Sequence, residues 1–191
     1  MIARLINMIR RFRRDDRGIS AIEIAVAVPV AVALTMNGVE LSRYVLLHQK
    51  TERASMTVAD LVSQGEVLTI ADINNIFTAG ALITEPFDFS ANGAMIVSSV
   101  VGQSSNAIVD WQRVYGQDPG TSSVGSAGGV ASLPAGFTVG ESESVIMAEI
   151  HYDYEPMFPG NPILGGMIGN DTVYNYAIFR PRYTVKVRLG S

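Results

Sequence analysis

The sequence predicts an α+β chain in which one long amino-terminal helix packs on an antiparallel sheet of four or five strands. Three observations carry this reading. An apolar run from Ile19 to Met36 contains a single charge, Glu23, and continues without a stop signal into an amphipathic pattern reaching about Ser63. After Pro86 the hydrophobic period changes from helical to two-residue alternation. Finally, 48% of the 191 residues are hydrophobic and only 17% are charged, a balance far from that of disordered chains and suited to a membrane segment plus a modest core.

Four segments follow: a basic leader at 1–18, a membrane-spanning helix at 19–38, its continuation beyond the membrane at 39–65, and a globular α+β domain at 66–191. The leader holds Arg4, Arg10, Arg11, Arg13, Arg14 and Arg17 against Asp15 and Asp16. It is therefore net +4, and the remaining chain is net −8 within a total of −4. A basic flank before an apolar stretch orients the leader to the cytoplasm and the acidic body to the far side. No nucleic-acid partner is expected, because phosphate binding needs Lys and Arg clustered on the folded domain. With no cysteine, zinc ribbons, thiol catalysis and disulfide scaffolds are excluded.

From Ile19 to Met36, eighteen residues at about 1.5 Å each span about 27 Å, close to the thickness of a bilayer's hydrocarbon core. No A-x-A site follows Met36, which favours a retained helix over a secretory signal cut behind its apolar region. Pro29 removes one helical hydrogen bond and predicts a kink, tolerated where neighbouring helices pack. Beyond Met36, residues Leu41, Tyr44, Val45, Leu47, Met56, Val58, Leu61 and Val62 continue the helix to Ser63. Glu40 and Arg43, at i and i+3, are spaced to pair near the membrane surface.

Thr69 and Asp72 form the ends of a capping box, opening a short helix through Ile73, Ile76 and Phe77 to Gly80. Strands are predicted at Ala94 to Val101, Ala107 to Tyr115 with the single tryptophan Trp111, Ala148 to Tyr154, and Tyr183 to Leu189. Residues 116–129, rich in Gly and Ser, read as a mobile surface loop. The stretch 156–170 mixes Pro and Gly with Met157, Phe158, Ile163, Leu164, Met167 and Ile168, so it reads as a packed excursion or an interaction surface.

No enzyme constellation is visible, and no cofactor or metal is expected. His48 and His151 lack the companion spacing of a zinc site. Ser126 is not in a nucleophile elbow, and the 116–129 glycines lack the Lys-Ser/Thr ending of a phosphate loop. Glu141, Glu143, Glu149, Asp153 and Glu155 form a local acidic group without EF-hand spacing, read as a solvated face. Asn170-Asp171-Thr172 fits a glycosylation acceptor pattern of low specificity.

Glu23 carries more information. A carboxylate inside an apolar spanning helix is costly and marks a partner or a function, although near the end of the helix it can also reach back to the interface. The spacing Gly18, Ile19, Ser20, Ala21, Ile22, Glu23 resembles the type IV prepilin processing motif, in which a membrane peptidase cuts after the glycine and leaves a glutamate fifth in the mature chain. Arg17-Gly18, Ala21-Ile22-Glu23, Pro29 and the block Gly38-Val39-Glu40-Leu41-Ser42-Arg43 resemble the amino-terminal signature of TadE-like proteins of the tight adherence (Tad/Flp) pilus system. The Phe or Tyr usual in that family after the glutamate is Ile24 here. The resemblance covers residues 17–65 and is looser beyond.

It implies a pilin-like fold and a minor pilin or pseudopilin. Processing would occur at Gly18 and Ile19, and Glu23, Pro29, Glu40 and Arg43 would serve assembly. The implied partners are the inner membrane, a prepilin peptidase, other minor and major pilins and the Tad assembly machinery. The implied location is a single-pass inner-membrane protein with a cytoplasmic amino terminus and a periplasmic carboxy-terminal domain, with possible incorporation in an extracellular pilus. An uncleaved membrane-anchored sensor or binding module is the alternative; for an anchored hydrolase no residues speak.

Overall fold

The computed structural model describes residues 18–104, 106–116, 122–158 and 171–190. Helix α1 runs unbroken over Ile19–Ser63, with Pro29 inside it. Strand β1 (Val67–Leu68), helix α2 (Ile70–Ile83) and the short α3 (Phe89–Asn92) lead into strands β2 (Gly93–Gly102), β3 (Ala107–Gly116), β4 (Ser144–Tyr154) and β5 (Asp171–Phe179), and β6 (Arg188–Leu189) closes the chain. The main sheet is antiparallel throughout, in the order β3-β2-β4-β5. The α+β layout of a long apolar helix against a four-stranded antiparallel sheet is thus observed.

The two halves of α1 have different surroundings because they have different side chains. From Ile19 to Val32 every residue is exposed, including Ile22, Ile24, Val26, Val28, Val30 and Val32. This is the helix long and apolar enough to cross a membrane. From Glu40 onward one stripe is buried: Leu47, Thr51, Ala54, Ser55, Val58, Ala59 and Val62, the i, i+4, i+7 spacing of a single helix face. Ala54, Ser55 and Ala59, small at three of these seven positions, let the helix lie close to the sheet. There it meets Ile146, Ala148, Ile150 and Tyr152 of β4 and Val173 and Ala177 of β5.

Helix α2 opens with the capping box, the Thr69 hydroxyl accepting from the Asp72 amide and the Asp72 carboxylate accepting from the Thr69 amide at 2.9 Å. These bonds, the Thr69 side chain foremost, hold the Asp72 carboxyl below the usual carboxylate range. The helix runs to Ile83, one turn past the Gly80 at which the sequence suggests a stop. Gly80 is not a terminator but a point of close approach: a Cβ there would lie 2.6 Å from Val58 Cγ2.

The second face of the sheet is covered too. Val100, Val109, Val145 and Met147 are buried beneath Val124, with Leu133, Phe137 and Val139 packed around them. The described part of the Gly/Ser-rich 116–129 stretch is therefore a cover on the sheet rather than a mobile surface loop. Its polar backbone is satisfied by bonds to β3, Gly128 N donating to Val109 O at 2.7 Å and Val109 N donating to Gly129 O at 2.9 Å.

Two strand expectations change. β5 is not legible as alternation, because its outer face holds Tyr174, Tyr176 and Ile178 while its inner face mixes Asn175 with Val173, Ala177 and Phe179. Conversely, Tyr183 to Leu189 is no strand of the sheet. Only Arg188–Leu189 pairs, in parallel with Val67–Leu68. Tyr183 and Val185 are 70% and 68% exposed, whereas Val187 is fully buried under Trp111, whose Nε1 donates to the Val187 carbonyl at 2.9 Å. Hydrogen bonds hold this tail to the far end of α1 and to β4: Arg182 binds Asp60, its backbone amide donates to Ser63 O at 3.0 Å, and the Ser144 hydroxyl donates to Val185 O at 2.6 Å.

Candidate functional site

Gly18 stands as the N-cap of α1, and beyond its chain neighbours no described residue lies within 4 Å of where a side chain would project. Ile19 begins the helix and Glu23 lies one turn on, fully outward, and neither a cation nor a hydrogen-bond donor among the described residues meets the Glu23 carboxylate. Residues 1–17, with the arginines that flank this end, lie outside the described residues. Towards the end of the apolar half, polar side chains are folded back on the helix: Thr35 donates to Ala31 O at 2.8 Å and Asn37 to Ala33 O at 2.6 Å. Each such bond satisfies a polar group within an apolar surface.

The domain begins at Glu40. This residue is only 2% exposed and does not pair with Arg43. Its carboxylate instead accepts from the Tyr154 hydroxyl, from Met157 N at 3.2 Å and from Phe158 N at 3.2 Å. A carboxylate buried beside an apolar helix must satisfy its lone pairs, and three donors from the end of β4 do so better than one flexible arginine. Burial and the adjacent Glu40 push the Tyr154 hydroxyl up to about 12, so it stays protonated and donating. Tyr44 completes the junction, packing edge-on to Tyr154 at 5.3 Å and to His48 at 4.7 Å.

Arg43 instead hydrogen-bonds the Tyr154 hydroxyl, the same group that Glu40 accepts from. Its guanidinium lies 5.5 Å from the centre of the Phe87 ring, and its Nε is buried without a hydrogen-bond partner. It lines a pocket of about 190 Å³ together with Phe87, Asp88, Asn92, Tyr152 and Glu155. The Tyr152 hydroxyl bonds to Asn92 and lies within electrostatic reach of Asp88, Arg43 and Glu155; burial foremost raises its pKa above the ordinary phenol value.

The acidic residues of 141–155 do not assemble into one group. Glu143 pairs with Arg180 at 3.2 Å, Glu141 accepts from Ser104 at 2.9 Å, and Asp153 accepts from Thr172 at 2.7 Å. Glu149 is not solvated at all. It is fully buried on the second face of β4, where it accepts from the hydroxyls of Ser122, Ser123 and Tyr174 and from Ser123 N at 2.9 Å. The signal that could have shown it lies in the central position of β4, since a strand flanked on both sides in a covered sheet has no solvated face. His151, beside it, stacks with Tyr174 at 4.8 Å, and desolvation lowers its pKa. No group of three His, Cys, Asp or Glu suited to a metal ion occurs among the described residues.

Glu40 and Arg43 are thus brought to one junction, while Gly18, Ile19, Glu23 and Pro29 stand along the free helix. The 156–170 stretch is described only through Phe158, and the Asn170 acceptor lies outside the described residues. The chain matches no protein-family model, no curated protein and no solved structure.

Proposed function

We propose that the chain is a minor pilin, or pseudopilin, of a Tad/Flp-type pilus, cut after Gly18 by a prepilin peptidase and working in pilus assembly, initiation or surface adhesion. One observation carries the reading: the Gly18-to-Glu23 spacing stands at the start of a helix that is exposed all round through Val32 and then becomes the spine of a folded domain. Gly18 has no side chain, and beyond its chain neighbours no described residue lies within 4 Å of where one would be, which suits a scissile position.

The chemistry is consistent. Cleavage would free an α-amino group at Ile19, with an ordinary pKa of about 7.7–8.0, mostly charged at neutral pH. Axially offset helices in a filament would bring that ammonium against a neighbour's Glu23, where each charge offsets the other's burial. The acidic domain would stand in the periplasm, with the leader cytoplasmic and the helix in the inner membrane. Its partners would be the peptidase, other pilins and the assembly machinery.

Mass spectrometry of the amino terminus of the membrane-derived protein is the test. A mature chain beginning at Ile19 supports the proposal. An intact Met1 end identifies an uncleaved anchored module, and a new end beyond residue 36 identifies a secretory signal; either result overturns it.

A further inference from the structure

Glu40 is the first residue of α1 buried against the domain, so the domain starts about 32 Å along the helix from Ile19. That distance matches a hydrocarbon core of about 30 Å, which puts the next helical turn, with Arg43, in the outer headgroup layer. The pocket beside Arg43 lies at this same end of the domain. It is built where β4 finishes (Tyr152, Tyr154, Glu155) and just before β2 starts (Phe87, Asp88, Asn92).

The lining of this pocket has an unusual charge pattern for so small a space. Arg43 has no ion pair among the described residues, although two carboxylates line the same pocket; its guanidinium is held by a hydrogen bond to the Tyr154 hydroxyl and by the Phe87 face. Asp88 already accepts from Ser90 at 2.6 Å and from Ala91 N at 3.1 Å as the cap of α3, which fixes the carboxylate's direction and leaves further lone pairs free. Glu155 is exposed and unpaired among the described residues. A simple anion in this space would face two carboxylates, and a simple cation would face the guanidinium. A zwitterion with separated charges satisfies both walls. A volume of about 190 Å³ equals about six water molecules, which fits a small polar headgroup and is well below the size of drug-like ligand sites.

We propose that this pocket binds a phosphoethanolamine group, and that its source is a phosphatidylethanolamine of the outer leaflet next to α1. The phosphate lies against Arg43 and the primary ammonium donates to Asp88 and Glu155, with Tyr152 and Asn92 as the polar floor. A choline headgroup carries no N–H to donate, and a glycerol headgroup carries no cation, so both fit less well. The inference rests on membrane anchorage by α1, not on pilus assembly.

The test uses the full chain. Membrane fractionation comes first: a chain absent from membranes refutes anchorage, and with it a lipid source. The membrane-inserted protein is then placed in bilayer nanodiscs containing equal parts of phosphatidylethanolamine, phosphatidylcholine and phosphatidylglycerol, released in mild detergent, and its retained lipid is identified by native mass spectrometry. Phosphatidylethanolamine should be retained with about tenfold preference. Arg43→Gln should abolish that preference, and Glu155→Gln should shift it towards phosphatidylglycerol, with near-UV circular dichroism unchanged in both. Equal retention of the three lipids, or an unaltered preference in folded Arg43→Gln, overturns the pocket assignment while leaving anchorage intact. Free glycerophosphoethanolamine should displace the lipid only at millimolar concentration; binding as tight as that of the lipid would assign the pocket to a soluble ligand instead.

Discussion

The junction at Glu40 makes a quantitative prediction. Glu40→Ala removes a buried carboxylate and strands three donors: the Tyr154 hydroxyl, 1% exposed as a residue, and the Met157 and Phe158 amides. Those two amides are only partly buried and regain water, whereas the Tyr154 hydroxyl does not. Leaving one buried donor unsatisfied and losing bonds to a charged acceptor should together cost about 3 kcal/mol. Tyr154→Phe removes one charged hydrogen bond and leaves the carboxylate two donors, for about 2 kcal/mol. In the double variant the phenol is no longer there to be stranded, so the total should be about 3.5 kcal/mol and the coupling about 1.5 kcal/mol. The assay is urea unfolding of the full chain in detergent, followed by the fluorescence of Trp111, which is buried on β3 and shares no contact with Glu40. Additivity of the two single variants within about 0.5 kcal/mol would refute the view that Glu40 and Tyr154 act as one unit.

Four further outcomes are expected. Glu149→Ala should leave the Ser122, Ser123 and Tyr174 donors without their acceptor and speed hydrogen exchange of the 122–139 cover by more than tenfold, whereas exchange in α2 should not change. His151, whose folded-state pKa lies below the ordinary 6.5, is bound by the proton first in the unfolded chain, so stability is fully present above about pH 6.5 and falls as pH drops below it; His151→Gln should flatten the urea midpoint between pH 7 and pH 5. Gly80→Val should cost at least 2 kcal/mol in the same urea assay, because even a Cβ there would press on Val58 and Met95. Glu23→Ala should insert and fold normally, with wild-type urea midpoint, but reduce surface pili; normal piliation would remove the proposed charge pairing.

The long helix was legible because α1 is apolar all round in its first half and along one face where it touches the sheet, and the capping box of α2 was legible because it is a contact between residues three apart. Strands β2, β3 and β4 could be read from local patterns as well, each extending a residue or more beyond the alternation. β5 and the 183–189 tail could not. In β5 aromatic residues occupy the outer face and conceal the period; in the tail, alternation survives in the sequence although Val187 alone of Tyr183, Val185 and Val187 is buried. Whether an alternating segment joins a sheet depends on a free neighbouring edge, and no property of the segment itself records that.

The site divides in the same way. Gly18, Glu23 and Pro29 were singled out by their spacing along one helix, and they do lie along it. The contacts of Glu40 and Arg43 were not legible, because the three-residue spacing suggests a mutual pair while Tyr154, 114 positions from Glu40, is the partner both reach. Local sequence determined the helix, its apolar half, its charge asymmetry and most of the strands, since each depends on side chains at fixed offsets along one chain. Tertiary structure alone decided which carboxylates are buried, which cation faces a pocket without an ion pair and which face of the sheet is covered, because burial and pairing depend on what the fold brings near, at distances in sequence that no local pattern spans.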